Sequence, residues 1–143
     1  MMEANLTALE LLEEEAVQMG IIIDYKLLRD EDEADGLYVD IGENRAKVIA
    51  LNRYRSQAEQ FAALAEEMGH HFASCGNIIK QDTITSRKQE MAGRRWAIRK
   101  ILPLEKLEII RHLGIYAFAE EMGVPIDFIQ EAMRYYNSQG EVL

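Results

Sequence analysis

The chain has 143 residues, a formal net charge of −9 at pH 7 and 48% apolar residues, the proportions of one ordinary domain with enough apolar side chains for a core. No window approaches the roughly 18 uninterrupted apolar residues of a membrane helix, and Met1-Met2-Glu3-Ala4-Asn5 lacks the order of a signal peptide. Cys75 is the single cysteine, so no internal disulfide can form, and a soluble cytoplasmic protein is expected whose summed field repels nucleic acid and anionic lipid.

Residues 6–19 place Leu9, Leu12, Ala16 and Met19 at helical spacing above an acidic face of Glu13, Glu14 and Glu15, with Gly20 as the stop. Ile21, Ile22 and Ile23 open a β-branched run through Tyr25. Beyond an acidic stretch, 30–35, read as a solvated loop, residues 36–40 and 47–51 predict two further strands. Gly42 and Asn44 mark the connection 41–46 as a hairpin turn. A small three-stranded sheet is the result.

Residues 56–72 predict a long helix with the apolar stripe Phe61, Leu64, Ala65, Met68 and Phe72, and Ser56 with Glu59 forms a capping-box pattern at its start. Residues 74–85 read as a loop around Gly76-Asn77, and a further helix spans 86–101 until Pro103 ends it. Short helices follow at 104–112, 115–122 and 126–136, parted by Gly114 and by Gly123-Val124-Pro125, with 137–143 as a loose tail. The fold class is α+β. Residues 1–103 form the core and 104–143 a helical C-terminal extension packed on it as one unit.

The chemistry concentrates in Leu64-Ala65-Glu66-Glu67-Met68-Gly69-His70-His71-Phe72. Glu66 and His70, then Glu67 and His71, are each one helical turn apart. At about 100° per residue Glu66, Glu67 and His70 lie opposite the stripe of Phe61, Ala65 and Phe72, with His71 on the flank. A single pair of this kind is ordinarily a solvated surface pair. A metal hydrolase, however, needs two ligands one turn apart, a carboxylate beside them and a third ligand from a later helix. Glu90 would be that third ligand, since Gly93 and Ala97 share its face and permit a close helix approach.

These residues, with Val48-Ile49-Ala50-Leu51-Asn52 before them and Glu90 through Trp96-Ala97 after them, resemble the ImmA/IrrE family of metallo-endopeptidases. The order of the segments is similar as well, with Gly36-Leu37-Tyr38 on one strand, Ile49-Ala50-Leu51-Asn52 on the next, and Ile101-Leu102-Pro103 closing the second helix. The resemblance covers roughly residues 21–103 and implies a zincin-like minimal metallopeptidase core. In the family pattern HExGH both histidines bind zinc, the glutamate is the general base and a later glutamate is the third ligand. Here Glu67, Gly69, His70 and Glu90 match the base, the spacer, the second histidine and the distal carboxylate. Glu66 departs from the pattern, standing where the first histidine belongs. Such an EExGHH sequence looks like a phage-associated branch of the family.

The implied ligands are therefore Glu66, His70 and Glu90, around zinc or another divalent metal, with His71 and Asp82 as second choices and Glu67 as catalytic base. Two carboxylates and one imidazole make a harder, more negative set than two imidazoles and one carboxylate, so weaker zinc binding and slower hydrolysis at neutral pH are expected. The implied activity is zinc-dependent cleavage of a protein substrate, a transcriptional repressor of a phage or other mobile element. The alternative is a weak or inactive relative that binds the repressor without cutting it.

Cys75 reads as a passive apolar residue and His112 as a helix-end cation. Ala119 to Val124 followed by Ile129 has helix-turn-helix spacing, but the second helix offers only Arg134 against Asp127 and Glu131, which disfavours direct DNA binding. The basic run Arg87, Lys88, Arg94, Arg95, Arg99 and Lys100 is expected to neutralise the acidic site and the acidic first helix.

Overall fold

A computed structural model describes residues 6–40, 46–73 and 83–141. Helix α1, Ala8–Gln18, opens on a capping box not anticipated from sequence: the Thr7 hydroxyl accepts from the Glu10 amide and the Glu10 carboxylate accepts from the Thr7 amide, both at 3.1 Å. Leu9, Leu12 and Ala16 face the core, and the helix stops before Gly20 at φ 84°.

Strands β1, Ile21–Asp24, β2, Gly36–Asp40, and β3, Lys47–Leu51, form a mixed sheet in the order β1-β3-β2. β3 is central. It runs parallel to β1, with Ile23 opposite Ile49, and antiparallel to β2, with Tyr38 opposite Ile49. Ile49, Ala50 and Leu51 are buried, as a strand paired on both edges and covered by helices requires. β2 and β3 pair as the hairpin reading predicts, while the turn at 41–45 lies outside the described residues.

Helix α2, Gln57–Ala73, begins at the predicted capping box of Ser56 and Glu59 and packs chiefly on helix α3, Thr83–Ile101, and on the sheet. Helix α3 starts three residues earlier than the expected 86, and residues 74–82 lie outside the described set. After α3 come α4, Leu104–Leu107, α5, Ile110–Leu113, α6, Ile115–Met122, and α7, Ile126–Ser138. The single helix expected over 104–112 is thus two. Three-residue hydrogen bonds, Ile109 amide to Lys106 carbonyl and His112 amide to Ile109 carbonyl, tighten the backbone between them and interrupt the four-residue ladder.

One buried cluster joins Leu12 of α1, Leu64 and Met68 of α2, Ile98 of α3, Phe118 of α6 and Ile129 of α7. The Tyr136 hydroxyl donates to the Leu102 carbonyl at 2.8 Å inside it. The tail expected from 137 is partly ordered, because α7 runs to Ser138 and Glu141 pairs with Arg99 at 3.2 Å. Phe72, placed in the apolar stripe, is 46% exposed. It lies at the last turn of α2, where it stacks on Trp96 of α3 instead of entering the core. No helix among the described residues is long and apolar enough to cross a membrane.

Candidate functional site

Two glycines bring the site together. A Cβ built on Gly69 of α2 would stand 2.2 Å from the Gly93 carbonyl oxygen of α3, and one on Gly93 would stand 2.8 Å from His70 Nδ1 and 3.2 Å from the Glu66 carbonyl. Only residues without a side chain allow the two helix backbones this contact. The result sets His70 Nε2 3.5 Å from Glu90 Oε2, the histidine largely buried and the glutamate mostly exposed. At 3.5 Å the pair is too long for a good hydrogen bond.

Glu67, partly buried, lies close enough to Glu90 to feel its charge. Gly36 of β2 sits against its stem, leaving 3.1 Å between Glu67 Cγ and any added Cβ, and the Tyr38 backbone amide is hydrogen-bonded to its carboxylate. Burial, reinforced by the charges of Glu66 and Glu90, pushes the Glu67 carboxyl up to about 8, against the opposing amide bond. The carboxyl therefore holds its proton at neutral pH.

Glu66 is turned elsewhere. Its Oε1 lies 3.3 Å from Arg94 Nε, and Arg94 Nη1 lies 2.9 Å from Glu131 Oε1 of α7. Burial raises the Glu66 carboxyl and the Arg94 guanidinium counters it. Arg94 is one turn beyond Glu90, and that i to i+4 spacing was the available signal for its place at the site. No spacing links Glu131 to the site, because the two are joined only by tertiary packing. The basic run does pair as expected at two points, Arg94 with Glu66 and Lys100 with Glu15 of α1 at 2.6 Å.

His71, a second-choice ligand, faces β2. Its Nδ1 is 2.8 Å from the Tyr38 hydroxyl, its ring packs edge-on against Tyr38 and Phe72, and burial followed by the Lys47 charge lowers its basicity. Asp82 and Cys75 lie outside the described residues.

His70 and Glu90 fit a shared divalent ion, since two ligands about 2.1 Å from one tetrahedral centre stand about 3.4 Å apart. Glu66 does not fit in this arrangement, because Arg94 holds its carboxylate. Accordingly, among the described residues no group of three or more His, Cys, Asp or Glu side chains forms a ready metal cage.

Asn52, quoted above only within a strand motif, supports the site from below. Fully buried, its amide nitrogen donates to the carbonyls of Asp30, Glu33 and Ala34, its side-chain oxygen accepts from the Tyr54 amide, and its own carbonyl accepts from Gln60 of α2. It fixes the acidic loop against β3 and the start of α2. No family model, curated protein or solved structure matches the chain.

Proposed function

We propose that the chain is a metal-dependent endopeptidase of the ImmA/IrrE type, with His70 and Glu90 holding the metal and Glu67 as the base. The single observation supporting this most strongly is the Gly69 and Gly93 crossing, which brings an imidazole and a carboxylate from two helices to 3.5 Å near a second, partly buried carboxyl, Glu67. Ordinary packing gives no reason to set Glu67, partly buried and raised by the charges of Glu66 and Glu90, beside a histidine paired with Glu90.

A bound metal would supply positive charge that polarises the scissile carbonyl, acidifies an attacking water and favours the ionised form of Glu67. Glu67 would be the group that accepts a proton from the attacking water, and its position against Gly36 and the Tyr38 amide keeps the accepting oxygen oriented. The substrate in this reading is a repressor protein of a phage or other mobile element.

A second reading, binding of a repressor without cleavage, is favoured by one observation, the capture of Glu66 by Arg94. Incubating the zinc-supplied protein with a mobile-element repressor and following the mixture by mass spectrometry separates the two. Cleavage at a defined bond by the wild type, lost in Glu67→Gln, supports the peptidase. A stable complex with an intact repressor overturns it in favour of the second reading.

A further inference from the structure

The cleft beside Glu66 has a volume of about 230 Å³ and is walled by Asp35, Glu59, Glu66, Asp127 and Glu131, with Arg94 as the one cation in its lining. Arginine cannot be neutralised at any physiological pH. Its guanidinium lies between Glu66 of α2 and Glu131 of α7, and each is bonded through a different nitrogen, Nε and Nη1. Both carboxylates are more shielded from solvent than the arginine that joins them. Arg94 therefore does for Glu66 what a metal ion would do, and it stands one turn from Glu90 on the same helix.

The geometry points to Arg94 as a resident counter-cation that competes with the metal for Glu66, so that the site exists in two forms, one closed on Arg94 and one closed on the metal. This inference rests on the metallopeptidase reading and deepens it by naming a control on metal loading. In the form seen here Glu66, Arg94 and Glu131 tie α7 to the site. In the metal-bound form Glu66 leaves Arg94, and Glu131 becomes the arginine's remaining carboxylate partner of the two. Docking of α7 is in this way coupled to metal occupancy, and by linkage anything that draws Arg94 away from Glu66 strengthens metal binding.

The test is the affinity for Zn²⁺ or Co²⁺ alone, by competition with a chromophoric chelator, in wild type, Arg94→Gln, Glu66→Gln and the double variant. A partly exposed ion pair and the repulsion of one nearby cation together set the scale, and Arg94→Gln tightens binding about three- to tenfold. In the Glu66→Gln background the same substitution tightens binding by a clearly smaller factor, because the contested carboxylate is gone and only the cation's repulsion of the metal remains. Glu131→Gln, which leaves Glu66 as the arginine's carboxylate partner of the two, weakens binding, and serves if Arg94→Gln does not fold.

Unchanged or weaker binding in a folded Arg94→Gln, or equal tightening with and without Glu66, overturns the proposal while leaving the peptidase reading intact. Absence of binding in the wild type with binding in Arg94→Gln supports it. Absence in every variant overturns both.

Discussion

His70 Nε2 and Glu90 Oε2 meet at 3.5 Å from two helices whose backbones touch at Gly69 and Gly93. In an ordinary helix, replacing glycine with alanine gains about 1 kcal/mol of propensity. At Gly69 the new methyl falls on the backbone carbonyl of Gly93, which cannot rotate away, and overpacking of this kind costs about 3 kcal/mol. The clash wins, and Gly69→Ala is expected to lose about 2 kcal/mol in chemical denaturation and to lose metal uptake with it. An equally stable variant with unaltered metal uptake would contradict the crossing.

Glu67 gives the metal-free protein a particular pH dependence. Its carboxyl is raised from 4.5 to about 8 on folding, so the fold prefers the protonated form. Below about 4.5 the group is protonated in both states and costs nothing. As pH rises from there through about 8, the unfolded chain ionises freely and the folded one does not, so stability is lost across that window. Glu67→Gln keeps the shape and removes the titration. With chelator present, the variant should match wild type near pH 4 and exceed its thermal midpoint at pH 8.5, as calorimetry would show.

Asn52 is a structural prediction independent of any metal. Replacing it with alanine leaves three loop carbonyls and the Tyr54 amide without their partner in a partly buried place, a loss of about 1–2 kcal/mol. Urea unfolding measures it directly, and a change below 0.5 kcal/mol, about the scale of an ordinary surface substitution, would contradict the role.

Glu66→His converts the acidic ligand set into two imidazoles and one carboxylate. Imidazole suits zinc better and cannot pair with Arg94 as a carboxylate does. The variant should hold zinc tighter by at least about tenfold, or about 1.4 kcal/mol, and hydrolyse its substrate faster at neutral pH. Weaker zinc binding in a folded variant would count against the metal site itself.

Much of this arrangement was legible in the residues. The three strands and the start of α2 follow from β-branched runs and the Ser56 and Glu59 pair, which act locally. The facing of Glu66, Glu67 and His70 away from Phe61 and Ala65 follows from helical period alone, and Gly93 and Ala97 pointed to the close approach of Glu90. The break between α4 and α5 was hidden because three-residue hydrogen bonds leave the apolar spacing of 104–112 unchanged. The exposure of Phe72 goes with its stacking on Trp96 of α3, a tertiary contact that periodicity does not encode. Glu131 was out of reach for the same reason: its contact with Arg94 spans 37 positions and arises only when α7 folds back on α3.

The central claim is that His70 and Glu90 hold a metal, and elemental analysis of protein purified without an affinity tag tests it most directly. The account predicts near-stoichiometric zinc or another transition metal in the wild type, lost in both His70→Ala and Glu90→Gln. A wild type that carries no metal, and takes none up at micromolar supply, would contradict it.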